Sequence, residues 1–64
     1  MKFTVTFYTN HSMHRYNGNV YASNISEGRQ AFSDKLLETD FMLDEDGFIV
    51  RTSAVVKFKL EVVK

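Results

Sequence analysis

Alternating apolar and polar residues at the two ends of the chain predict two β-strands. In residues 2–9, Phe3, Val5 and Phe7 alternate with Lys2, two threonines and Tyr8, and residues 54–63 repeat the alternation. A side-chain period of two is typical of a strand with one buried face. The side of the last strand that we expect to face the core consists of Val56, Phe58, Leu60 and Val62.

Two shorter segments, residues 14–22 and 48–52, also favour strands. Asn17-Gly18 interrupts the first of them, and this dipeptide favours a tight hairpin turn. A turn there would make the first strand unusually long. We therefore predict that the chain reverses at residues 10–13 and that Asn17-Gly18 is a bulge, with a turn at Asn17-Gly18 as the alternative.

Between these strands the sequence predicts one helix that ends near residues 37–40. Asn24 and Glu27 have the spacing of a capping box. Apolar or small residues then recur at helical spacing, and they are Ile25, Gly28, Phe32 and Leu36. A connection over residues 40–47 follows, which the turn residues Asp44-Glu45-Asp46-Gly47 close. A short turn at Thr52-Ser53 predicts that the last two strands form a hairpin.

The order β-β-α-β-β predicts a single α+β domain over residues 1–64. One helix is too little to cover both faces of a sheet, so we expect a two-layer fold with a four-stranded sheet and the helix on one face. This order is similar to the β-grasp layout, which would place the first and last strands parallel at the centre. A fully antiparallel sheet is the alternative.

Composition excludes several classes of protein. The 64 residues include no cysteine, which excludes a disulfide, a thiolate zinc site and a cysteine nucleophile. Eight basic and eight acidic residues balance, which argues against a DNA-coating protein and against a DNA mimic. No targeting signal is visible and no apolar run reaches membrane length, so we expect no membrane partner and a cytoplasmic location.

The sequence offers little for metal, cofactor or catalytic chemistry. His11 and His14 could share a metal ion, but their neighbours are amides and hydroxyls, so we interpret both as polar residues of a solvated loop. No glycine-rich phosphate loop and no serine in a nucleophile elbow is present. We therefore expect no metal, no cofactor and no enzymatic activity.

The segment of residues 38–46 combines acidic and apolar side chains, and it is our predicted partner-binding site. Such a patch can dock on a basic, partly apolar protein surface, with charge steering the approach. The alternative is a solvated loop whose apolar members pack under the helix. The predicted site residues are Glu38, Asp40, Phe41, Met42, Asp44, Glu45 and Asp46.

The outer sheet face offers a second surface, for single-stranded nucleic acid. Basic residues beside aromatic rings on an open sheet can contact phosphates and stack on bases. The alternative nucleic-acid face comprises Tyr8, Arg51, Lys57 and Lys59, with Tyr16 or Tyr21 nearby. A bare edge of the second or third strand also allows a homodimer.

The order of elements resembles small accessory proteins of phages and prophages. The resemblance rests on Val20-Tyr21-Ala22, the Asn/Ser cap with Ser26-Glu27, and Gly47-Phe48-Ile49-Val50-Arg51. It covers residues 20–51 and is similar in layout to the inhibitors of host RNA polymerase from T7-like phages. The resemblance implies a small non-catalytic protein that binds a host or partner protein and inhibits or modulates it.

Overall fold

The structure is a computed structural model that describes all 64 residues, and it confirms an α+β fold. The six strands are β1 (Lys2–Tyr8), β2 (Met13–Arg15), β3 (Val20–Tyr21), β4 (Phe41–Leu43), β5 (Ile49–Arg51) and β6 (Lys57–Val62). One helix, α1 (Ile25–Glu38), lies between β3 and β4, and a 3₁₀ turn (Thr52–Ala54) precedes β6.

Strand β1 is the centre of a four-stranded sheet. It pairs with β6 along one side and with β2 and then β3 along the other, and all pairings are antiparallel. Phe3, Val5 and Phe7 all point to one face and are fully buried. The register places Val62, Leu60 and Phe58 beside them on that face, so the predicted inward side of the last strand is confirmed for these three residues.

The second predicted strand is divided by a bulge. Thr6 pairs with Arg15 and Phe3 pairs with Val20, so residues 16–19 lie opposite only two residues of β1. The chain reverses in the turn before Met13, where the Thr9 N–H donates to the Ser12 carbonyl at 2.9 Å. The predicted reversal and bulge are thus confirmed, and no turn forms at Asn17-Gly18.

Helix α1 covers the inner face of the sheet. The Glu27 N–H donates to the Asn24 side-chain oxygen at 2.9 Å, which confirms the predicted N-cap. Phe32 is fully buried and packs against the rings of Tyr16 and Phe58. Gly28 allows close approach to the sheet, because a Cβ at this position would lie 2.8 Å from Leu60 Cδ2. The remaining members of the core are Val20 and Met42.

The pairing of the strands in the C-terminal half differs from the prediction. Residues 41–43 form a strand, and this strand pairs with β5, so β5 does not form a hairpin with β6 across Thr52-Ser53. The additional strand adds one reversal of chain direction. The Val56 N–H therefore meets the Tyr8 carbonyl at the far end of β1, and β6 runs antiparallel to β1. The parallel pair of the β-grasp layout is absent, and β6 is an edge strand rather than a central one.

Candidate functional site

The outer face of the β4–β5 hairpin (residues 41–51) carries several exposed apolar side chains. Met42 and Val50 pair with each other and turn toward the core. Alternation along each strand turns their neighbours outward. On this outer face Phe41 is 54% exposed, Leu43 42% and Ile49 72%. Phe48 precedes β5 in the phase of Val50, and it is 65% exposed at the turn end of the hairpin. Clustered exposed apolar side chains of this kind mark interaction sites, whereas single ones are ordinary.

A turn built around Asp44 closes the hairpin. Asp44 Oδ1 accepts the N–H groups of Asp46 at 3.0 Å and Phe48 at 2.8 Å, as Asp side chains do in tight turns. Gly47 has a φ of +90°, a value that strongly favours glycine. The predicted turn residues are thus confirmed, and Phe48 lies exposed at the turn end of the hairpin.

Backbone hydrogen bonds fix the hairpin to the bulged strand of the main sheet. Tyr16 and Asp44 form an isolated antiparallel bridge. The Asn17 N–H donates to the Leu43 carbonyl at 3.1 Å, and the Glu45 N–H donates to the Arg15 carbonyl at 2.9 Å. The bulge at residues 16–19 thus frees backbone groups from pairing with β1. The Asn17 N–H within the bulge and the Arg15 carbonyl just before it bind the hairpin.

A chain of side-chain hydrogen bonds makes a second link between the hairpin and the sheet. His14 Nδ1 lies 2.7 Å from Asp44 Oδ2, and His14 Nε2 lies 2.7 Å from Ser12 Oγ. The hydrogen bond with His14 lowers the pKa of the buried Asp44 carboxyl below its usual value, and the N–H groups of Phe48 and Asp46 act in the same direction, whereas burial opposes them. The ionised carboxylate can only accept, so Nδ1 carries the proton.

The Ser12–His14–Asp44 chain has the connectivity of a serine-hydrolase relay, but its surroundings are those of a structural link. The His11 and Ser12 N–H groups, the nearest candidates for an oxyanion site, both donate to Thr9 Oγ1. His14 stacks on the Phe7 ring with centroids 5.3 Å apart. The interpretation of His14 as a solvated loop residue was therefore wrong, because the imidazole fills a position between the sheet and the hairpin.

Acidic side chains lie at both ends of the hairpin. Glu38 and Asp40 are exposed near its open end, and Glu45 and Asp46 are exposed at its turn. The turn acids also line a recess of about 300 Å³ together with Arg15 and Lys59. The charge at the turn is thus partly offset by neighbouring bases, whereas Asp40 lies beside Phe41 and Arg51.

The structure divides the predicted partner-binding segment. Phe41 and the four acids Glu38, Asp40, Glu45 and Asp46 are exposed, but Met42 belongs to the core and Asp44 is buried under His14. Sequence reasoning missed Phe48 and Ile49, and it left Leu43 out of the site. The available signal was composition alone: Phe-Met-Leu and Ile-Val-Arg are two short runs rich in apolar residues on either side of an Asp/Gly turn.

The outer face of the main sheet brings together most of the predicted nucleic-acid residues. Thr6 pairs with Lys59 and Tyr8 pairs with Lys57, and the Lys57 ammonium lies 5.0 Å from the centre of the Tyr8 ring. Tyr21 is exposed on this face beside Lys2. Arg51 lies elsewhere, over the Phe41 ring of the hairpin.

Tyr16 also lies away from the outer face, because its ring packs edge-on against Phe32 in the core. No group of three or more His, Asp or Glu side chains is placed to hold a metal ion. The structure has no helix with the length and apolar character needed to span a membrane. Comparison with protein-family models, curated proteins and solved structures finds no match to this chain.

Proposed function

We propose that this chain is a small non-catalytic protein that binds a partner protein through the outer face of the β4–β5 hairpin. The observation that carries this proposal is the set of three exposed apolar side chains on this face, Phe41, Leu43 and Ile49, with Phe48 exposed beside the turn. The strands are held from behind by Met42 and by the Asp44–His14 hydrogen bond, so the face is formed before binding. A preformed apolar face loses little conformational entropy on association, and buried aromatic residues are frequent anchors of interfaces.

The partner surface that fits this face is an apolar recess bordered by Lys and Arg. Asp40 at one end of the hairpin and Asp46 at the other supply the complementary charges. Charges at the rim of an interface mainly accelerate association and select the partner. In line with the resemblance to phage inhibitors, binding would occupy a site on a larger cytoplasmic host protein and block or modulate it stoichiometrically.

Capture of partners by the immobilised full-length chain tests this proposal. The wild type is compared with F48S/I49T, which removes the two most exposed apolar side chains of the hairpin, and with V56T, a matched control outside the hairpin at a residue that is 56% exposed. We expect one host protein to be retained by the wild type and by V56T, to be lost with F48S/I49T, and to survive nuclease treatment. Equal retention by all three chains would refute the proposed site.

Charge reversal tests the chemistry of the partner. Asp40→Lys and Asp46→Lys are expected to slow association with the captured protein, most strongly at low salt, because they remove the complementary charge. Reversal of Asp44 is unsuitable, because its carboxylate is used inside the fold. The matched variant Lys57→Glu, on the outer face of the sheet, is expected to leave the association rate unchanged.

A second candidate function, binding of single-stranded nucleic acid, rests on the register of the outer sheet face. Lys2, Tyr8, Lys57 and Lys59 share this face with the exposed ring of Tyr21, whereas Glu61 opposes phosphate binding. An affinity for single-stranded RNA that falls steeply with salt and is lost in Lys57→Glu would support it. Partner capture that disappears after nuclease treatment would favour this function over the hairpin.

A further inference from the structure

Strand β6 leaves one complete edge of the main sheet unpaired. It pairs with β1 alone, and none of the backbone hydrogen bonds outside the regular elements ends on its other side. The Val63 N–H donates to the Lys2 carbonyl at 2.8 Å, so the odd-numbered residues of this strand direct their backbone groups toward β1. Because alternate residues of an antiparallel strand bond to opposite sides, Phe58, Leu60 and Val62 direct their backbone groups to the free edge.

The free edge is protected only by charge, because Lys57, Lys59 and Glu61 alternate along it and charged side chains discourage addition of a strand with unmatched charge. The chain has no proline, and neither helix α1 nor another strand pairs along this edge. Val62 and Val63 are partly exposed at its end. Unpaired edges of this kind are templates for a further strand. A strand that joins here must supply apolar residues on the helix side and charges complementary to Lys59 and Glu61 on the outer side.

We propose that β6 pairs antiparallel with β6 of a second copy of this chain, with the two-fold axis at Leu60. In this register Leu60 pairs with Leu60 of the second copy, and Phe58 pairs with Val62 of the second copy. These are the residues whose backbone groups are free, so every pair exchanges hydrogen bonds. The inner face of the joined strands is then apolar throughout, and both helices lie on the same side of one continuous sheet.

Charge selects this register among those that keep the two faces matched. With the axis at Leu60, Lys59 of each copy lies opposite Glu61 of the other, in the closely spaced pairs of the ladder. Any other allowed register is shifted by an even number of residues, because an odd shift turns the apolar face outward. A shift of two residues in one direction opposes Lys59 with Lys59, although it also sets Lys57 opposite Glu61 of the other copy, and a shift in the other direction opposes Glu61 with Glu61. Like charges directly opposite are destabilising, and only the register with its axis at Leu60 has opposite-charge pairs without a like-charge pair.

Sedimentation equilibrium of the full-length chain tests the proposal, with an expected mass of twice 7.4 kDa. Lys59→Glu and Glu61→Lys each place like charges opposite one another, and we expect the dissociation constant to rise about tenfold or more. The double variant K59E/E61K restores opposite charges and is expected to restore the dimer. Lys57→Glu is the matched control, because Lys57 lies opposite Val63 in this register and its reversal should change nothing.

Three outcomes would overturn the proposal. The first is a wild type that stays monomeric at concentrations up to about 1 mM. The second is a dimer that is insensitive to reversal of Lys59, or one that F48S/I49T dissociates instead, because association would then use another surface. The third is a failure of K59E/E61K to recover the dimer, which would exclude the register. Lys59 and Glu61 are 57% and 60% exposed and form an ion pair within one chain at 3.5 Å, which each single reversal breaks and K59E/E61K restores. An exposed pair contributes little to stability, so none of these variants is expected to disturb the fold.

Discussion

The main sheet and the β4–β5 hairpin share the same alternation of side chains but differ in the polarity of the residues on their outer faces. On β1 the inner residues are Phe3, Val5 and Phe7, and the outer ones are threonines, Lys2 and Tyr8. On the hairpin the inner residues are apolar, but so are most of the outer ones. Burial explains the inner residues of both regions, whereas folding buries only a minor part of Phe48 and Ile49. The comparison therefore separates residues that hold the fold from residues available for binding.

The largest expected effect is loss of the main core. Phe32→Ala removes a fully buried ring between Tyr16 and Phe58 and should cost about 3–5 kcal/mol. A chain of 64 residues has only about 3–10 kcal/mol of unfolding free energy, so much of it would be lost in both regions together. Urea unfolding measures the loss. Leu37→Ala on the same helix, at a residue 85% exposed, is the control and should change stability little.

The second-largest loss of stability is expected in the β4–β5 hairpin. Met42→Ala removes the hairpin's buried contact with the core and should cost about 2–5 kcal/mol. Native-state hydrogen exchange is expected to show faster exchange of the Glu45 and Asn17 amides, which hold the hairpin against the sheet. Amides between β1 and β6 should keep more of their protection. Uniform loss of protection would mean that the two regions open as one unit.

Acid is expected to loosen the same link. The pKa of Asp44 in the folded chain is lowered from its usual 3.8, chiefly by the hydrogen bond with His14. A lowered pKa contributes stability that is present above 3.8 and is lost as the pH falls through the folded value. Thermal unfolding at a series of acidic pH values measures this loss. His14→Gln should make this acid-dependent loss smaller, because the folded pKa of Asp44 then lies closer to 3.8, and an unchanged loss would exclude His14 as the cause.

The N-terminal half could be predicted from sequence because its signals are local. The alternation of β1, the cap at Asn24 and the stripe of Gly28 and Phe32 each depend on near neighbours in the chain. The bulge at residues 16–19 was also predicted, because a turn there would have made β1 too long. These features determine the helix and the sheet that it covers.

The C-terminal half could not be predicted in the same way because its pairing depends on distant residues. Each strand of the β4–β5 hairpin has three residues, too short for a periodic pattern to be distinct. Its position depends on Asn17, Arg15 and His14, which are far away in the chain. Because β4 was not predicted, the predicted direction of β6 relative to β1 was also wrong. The same error hid Phe48 and Ile49, because their exposure follows from β5 pairing with β4.

The smallest expected effect on stability separates the two regions most directly. Ile49→Thr keeps a β-branched residue on an exposed strand, so the free energy of unfolding should change by no more than about 0.5 kcal/mol. The matched change Val5→Thr, at a residue that is fully buried, places a hydroxyl in the core and should cost about 1–3 kcal/mol. Urea unfolding of the two variants side by side measures the difference. If Ile49→Thr proved as costly as Val5→Thr, the outer face of the hairpin would be part of the folding core, and its apolar residues would need no partner to explain them.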